Sequence, residues 1–185
     1  RIHDEGRAAE VFSQFRDAAT AQSPELGEAA ASPTIEALIK GVGSGSPYLS
    51  QLITRDAARM QRVLLNDPID RLSAMAAELR ERLEGAANLN EAMRALRIYK
   101  TEAALIIGLA DLGGVWPVMQ VTRMLTETAD TALQQAVAYL FRQAVAKGDW
   151  LADSEGDADA GSGYIVLGMG KILTLMGTLV MDILK

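Results

Sequence analysis

Gly168, Gly170 and Lys171 close the stretch GSGYIVLGMGK at 161–171, where the apolar run Tyr164-Ile165-Val166-Leu167 opens onto glycines and a lysine. A strand ending in such a turn lets backbone N–H groups approach phosphate oxygens, and the lysine adds a compact positive charge. The motif alone has low specificity, because glycine-rich strand ends are common. Chemistry on a bound nucleotide also needs carboxylates that hold Mg2+ against the phosphates, and these should follow on the next strand. The residues that do follow, ILTLMGTLVMDILK at 172–185, carry one acid, Asp182. An Asp-x-Asp pair occurs at Asp157-Ala158-Asp159, but it precedes the apolar run. It lies in DSEGDADAGSG, 153–163, which has the composition of a linker or exposed loop. The same segment lacks the loop glycine and closing glutamate of an EF-hand.

Other site chemistries are thinly supported. The chain has no cysteine and a single histidine, His3 near one end, which excludes thiolate metal sites, a His-rich centre and a Ser-His-Asp triad. Lys and Arg total 18 against 24 Asp and Glu, a formal charge of −6, which argues against non-specific nucleic-acid binding. Arg94, Arg97 and Lys100 form a basic row at spacing three, suited to an acidic partner or a nucleotide, or simply to a solvated helix face. No signal-peptide pattern follows Arg1, and the apolar stretch 164–184, preceded by Gly163, is broken by Lys171, Asp182, Gly168, Gly170 and Gly177. These features describe a soluble, cytoplasmic protein with no membrane span.

Helical periodicity dominates the elements that must position such residues. Residues 6–19 carry Val11, Phe12 and Phe15 on one stripe. Ala21 to Pro33 reads as a loop, and Thr34 to Lys40 as a short helix ended by Gly41-Val42-Gly43-Ser44-Gly45. Ser46 and Pro47 start a helix over 46–60 with Leu49, Leu52 and Ile53 on one face, and Asp67-Pro68 starts the next. That helix turns Leu72, Met75, Leu79 and Leu83 to a core and Arg71, Glu78, Arg80, Glu81 and Arg82 to water. A connection over 85–90 leads to a broad-faced helix from 91 to 112, stopped at Gly113-Gly114. The last helix runs from Pro117 to Lys147, with Trp116 and Trp150 packing at its ends, and most of the eight methionines fall on apolar stripes as core. The fold class is therefore all-α, a bundle of five to seven helices over 1–152, with a change of character at Tyr164 where a strand should begin.

Three stretches in this order resemble the glutamine synthetase adenylyltransferase and deadenylylating enzyme family: SPYLSQLITRD at 46–56, LRIYKTEAALIIGLADLGG at 96–114, and GSGYIVLGMGK. The likeness covers about residues 46–171, and ADLGGVWPVMQVTRMLTETAD at 110–130 is similar to the amino-terminal, adenylyl-removing half. The resemblance implies a nucleotidyltransferase that attaches AMP to a tyrosine of glutamine synthetase and removes it by phosphorolysis. It implies ATP or ADP and Mg2+ as cofactors, and glutamine synthetase and a nitrogen-signalling regulatory protein as partners. It makes Gly168, Gly170 and Lys171 the nucleotide-binding turn, and divides the chain into a helical domain (1–152), an acidic linker (153–163) and the truncated start of the catalytic core with a divergent tail (164–185).

The family's Asp-x-Asp is missing after Lys171, where the likeness stops as an altered reading frame would make it stop. The expectation is an inactive fragment with no catalytic or metal-ligating residue of its own. The alternative is a non-enzymatic helical module for protein interaction. The tail 172–185 should be buried, as a helix in preference to a strand.

Overall fold

Helix starts are written by short side chains that accept from the first free backbone donors. Asp4 accepts from Arg7 N at 2.9 Å, Ser23 from Leu26 N at 3.2 Å, Ser46 from Leu49 N at 3.3 Å and Asp56 from Arg59 N at 2.9 Å. Asp67 takes two donors, Ile69 N at 2.8 Å and Asp70 N at 3.2 Å. Asn88 accepts from Glu91 N at 3.1 Å while the Glu91 carboxylate accepts from Ala87 N at 2.9 Å and Asn88 Nδ2 at 3.0 Å, a reciprocal cap. Pro24, Pro33, Pro47 and Pro68 each occupy the first helical position, where a missing N–H costs nothing.

The computed structural model describes residues 4–151 and 162–164. Among these it holds eight helices and no strand: α1 (Glu5–Gln22), α2 (Pro24–Ala30), α3 (Pro33–Gly45), α4 (Pro47–Arg55), α5 (Ala57–Leu64), α6 (Pro68–Glu84), α7 (Leu89–Leu112) and α8 (Val118–Lys147). The all-α class and the long helices α6, α7 and α8 match the sequence pattern. Three readings need correction. The loop expected over 21–33 is the end of α1 and all of α2, because Ser23-Pro24 interrupts and at once restarts the helix, and Leu26 and Ala30 are buried. The expected stop at Gly41 to Gly45 is absent: α3 runs through the glycines. At Gly43 the lack of a side chain is used for packing, since a Cβ there would lie 3.1 Å from Val11 Cβ and 3.3 Å from Ala8 Cα. Finally, Asp56 divides the expected 46–60 helix into α4 and α5, which with α2 raises the count above the five to seven expected.

The chain forms two compact units, residues 4–73 with 101–123 and residues 74–100 with 124–151 and 162–164. In the first, α1 is contacted by α2, α3, α4 and α5, and its Ala8, Val11, Phe12, Phe15 and Ala19 are buried. Leu52 and Ile53 of α4, Met60 and Val63 of α5, and Leu105, Ile106 and Leu109 of α7 complete that core. Gly108 allows a close approach of α7 to α4, since a Cβ there would meet Leu49 Cδ1 at 3.0 Å. The end of α7 is a glycine-dependent cap in which Val115 N donates to Ala110 O at 2.8 Å and Gly114 takes a φ of 66°.

In the second unit Met75, Leu79 and Leu83 of α6, Ala92, Leu96 and Tyr99 of α7, and Met124, Ala132, Ala136 and Tyr139 of α8 are buried. Burial pushes the Tyr99 pKa up, against the opposing influence of the Thr131 and Thr128 hydroxyls. Trp150 packs edge-on against Phe141 of α8 at 5.4 Å between ring centroids, and Tyr164 meets the same ring at 6.2 Å. Among the described residues no helix is long and apolar enough to cross a membrane.

Candidate functional site

Glu102 lies on the buried face of α7, between Tyr99 and Ile106, with 3% of its side chain exposed. A carboxylate so placed is stable only when charged donors surround it. Two arginines supply them. From the first turns of α6, Arg71, 9% exposed, brings Nε to Oε1 at 2.8 Å and Nη2 to the same oxygen at 2.7 Å. From α5, Arg62 donates through Nε to Oε1 at 3.2 Å and through Nη2 to Oε2 at 2.8 Å, a fork on both oxygens. Three helices of one unit thus converge on a single carboxylate. The Arg62 side chain is 41% exposed, so its outer edge reaches solvent while its inner edge is held.

The hydrogen bond to Glu102 raises the Arg62 pKa further above its ordinary value, against the opposing effects of burial and of the Arg71 charge. The group is a permanent cation. It has no proton to trade at neutral pH, and Glu102, closed in by guanidinium donors, is shaped neither as a general base nor as a ligand for a cation. Within the trio two positive charges face one negative, and the Asp56 carboxylate acts on Arg62 as a further opposite charge. What this arrangement offers is an oriented guanidinium at the surface.

Sequence reading placed Arg71 among the water-facing charges of α6, and the structure corrects this. Arg71 lies four residues before Met75 on the buried stripe, where a lone arginine would be unfavourable but one aimed at Glu102 is not. Glu102 is not among the sequence-expected site residues. Its signal was available: it interrupts the run of buried positions 95, 99, 103 and 106 with the one charged residue on that face.

The sequence-predicted nucleotide turn, Gly168, Gly170 and Lys171, lies outside the described residues, as do His3, Asp157, Asp159 and Asp182. Arg94 and Arg97 are exposed and Lys100 is half-buried, all in the second unit, and they make no hydrogen bond or ion pair with described residues. Trp150 packs at the end of α8 as expected, and Trp116 is buried just before its start. No group of three or more His, Cys, Asp or Glu that could hold a metal ion occurs among the described residues.

The model of the family described as glutamate–ammonia ligase adenylyltransferase matches residues 36–175, a span that contains Arg62, Arg71, Glu102 and the Gly168 to Lys171 turn. Similar relatives carry the name bifunctional glutamine synthetase adenylyltransferase/adenylyl-removing enzyme. That of Rhodopseudomonas palustris is 37% identical over 174 residues, covering 93% of this chain and 18% of the relative. That of Bradyrhizobium diazoefficiens is 41% identical over 152 residues, covering 82% of this chain and 15% of the relative. That of Xanthobacter autotrophicus is 37% identical over 139 residues, covering 75% and 14%. The chain therefore spans less than a fifth of the length of these curated relatives. No solved structure matches it. A model matched across three quarters of the sequence, with helices α4 to α8 and the buried ion cluster inside the matched span, establishes that the chain belongs to the glutamate–ammonia ligase adenylyltransferase family.

Proposed function

We propose that the chain is the helical part of an enzyme that transfers AMP to, and removes it by phosphorolysis from, a tyrosine of glutamine synthetase. In this reading it belongs to the adenylyl-removing half, works in the cytoplasm, and meets glutamine synthetase and a nitrogen-signalling regulatory protein. The observation that carries the reading is the family match over residues 36–175, with Gly168, Gly170 and Lys171 near its end as the turn that would receive nucleotide phosphates. ATP or ADP and Mg2+ would supply the reacting phosphates and their neutralising charge. Lys171 and the backbone of Gly168 and Gly170 fit the phosphate part. For the metal, Glu102 is saturated by arginine, and residues 172–185 offer only Asp182 in place of a carboxylate pair. The chain by itself therefore recognises and does not catalyse.

Two assays test this. Calorimetric titration with glutamine synthetase is expected to show association, and a flat titration would remove the recognition reading. Incubation with adenylylated glutamine synthetase and phosphate is expected to release no ADP, and measurable turnover by this chain would overturn its assignment as inactive. The second reading, a helical module with an interaction role only, is favoured by the exposed apolar set Leu112, Val115, Val118 and Met119 around the α7 to α8 turn. The charge-introducing substitutions Met119→Glu and Val118→Glu would weaken the calorimetric signal if that turn is the contact.

A further inference from the structure

The inner edge of Arg62 is fixed by the fork to Glu102, and Nη1 has no acceptor among the described residues. A guanidinium held in this way has lost most of its rotamer freedom before any ligand arrives, so a ligand would not have to order it. Arg71 already satisfies Oε1 with two short contacts, at 2.8 and 2.7 Å, so a second arginine is more than charge neutrality demands. Arg59 stands three residues earlier on α5, so its positive charge lies one helical turn from Arg62. One of its terminal nitrogens, Nη2, donates to Leu52 O at 3.1 Å, and its Nε is buried with no acceptor among the described residues. Asp56 caps Arg59 N and its carboxylate acts on Arg62 as an opposite charge, so Arg59, Arg62 and Arg71 against Glu102 and Asp56 leave an excess of one positive charge.

We propose that Arg62, with Arg59 beside it on α5, forms an oxyanion site that takes the paired oxygens of a phosphate or a carboxylate. Arg62 presents a fork to the incoming oxygens, Glu102 and Arg71 hold that fork in place, and Arg59 contributes a second positive charge. The site is built within one unit from α5, α6 and α7, and it stands whether or not the chain meets glutamine synthetase.

The test uses the full chain at fixed ionic strength in sodium chloride, with inorganic phosphate and N-acetylglutamate as the two probes. Calorimetry is expected to show saturable binding of at least one of them, and which one identifies the source of the oxygens. Arg62→Gln should weaken that binding about tenfold or more, the loss expected for a charge-assisted fork. Arg97→Gln, a solvated arginine elsewhere, should leave it unchanged. Arg62→Gln keeps Glu102 paired with Arg71 and should fold, which circular dichroism checks. Independently of any variant, the Arg62 Nε–Hε resonance of the parent chain should move with the probe along the same isotherm. The proposal is overturned if neither probe saturates, if Arg62→Gln binds as the parent does, or if Arg62 and Arg97 resonances drift together without saturation.

Discussion

Replacing Arg71 by methionine removes the two shortest contacts of Oε1 of the buried Glu102 carboxylate, those at 2.8 and 2.7 Å. Arg62 remains and holds Oε2 at 2.8 Å, but its Nε reaches Oε1 at only 3.2 Å and its side chain is 41% exposed, so it does not replace what Oε1 loses. Removing one partner of a buried ion pair costs about 3 kcal/mol or slightly more, because the remaining charge is left poorly compensated in a low-dielectric site. For a chain of 185 residues each kcal/mol moves the thermal midpoint by about 2–4 °C, so Arg71→Met should lower it by about 6–12 °C. Glu102→Leu alone should cost a similar amount, since it takes from Arg71 its carboxylate. The double change Arg71→Met with Glu102→Leu leaves an apolar pair, and Arg62 can turn to water. It should therefore lie within about 1 kcal/mol of the parent. Thermal and urea melts followed by circular dichroism measure all four proteins. A midpoint for Arg71→Met within about 1 °C of the parent, or a double variant as damaged as the two singles added, would refute the reasoning.

Gly43→Ala should destabilise by about 1–3 kcal/mol because its Cβ would enter at 3.1 Å from Val11 Cβ, whereas Gly41→Ala, with nothing within 4 Å, should stabilise by about 0.5–1 kcal/mol; urea midpoints of the two decide. Asp67→Ala takes the acceptor from Ile69 N and Asp70 N and should cost about 1 kcal/mol, visible as an earlier urea midpoint. Tyr99 has its pKa raised by burial, so the folded state holds its proton longer than the unfolded chain. Its contribution is constant below the ordinary tyrosine pKa of about 10 and falls as pH rises above that value. Stability measured across this range should decline less steeply in Tyr99→Phe, and an identical slope would show that Tyr99 does not titrate as assigned.

The sequence was most readable where one physical signal acted alone. Leu72, Met75, Leu79 and Leu83 repeat at helical spacing behind an Asp-Pro cap, and all four are buried on α6. Reading failed where a residue type has two uses. Gly43 disfavours helix when considered locally, but serves α3 by admitting the side of α1. Ser23-Pro24 is as good a loop as it is a helix start, and only the burial of Leu26 and Ala30 separates the two. The ion cluster was hidden for a different reason. Each arginine alone looks like a surface charge, and only the fold brings positions 62, 71 and 102 together. The glycine turn was read from its own residues and from the family likeness, and the family match reaches across it, but its geometry lies outside the described residues.

The Glu102 cluster also bears on uniqueness. The buried face of α7 is built of Ala, Leu and Ile, side chains that would tolerate several settings of the helix against its neighbours at similar free energy. Sliding α7 by one residue rotates each side chain about 100° around the axis. It would carry the carboxylate away from both arginines and leave three charges mismatched at once. The cluster acts as an index mark that admits one register of α7 against α5 and α6 and penalises the others. Its partners are 31 and 40 positions from Glu102, so the mark can be read only once distant parts of the chain have met. The last step of assembly in that unit is therefore also the step that checks it.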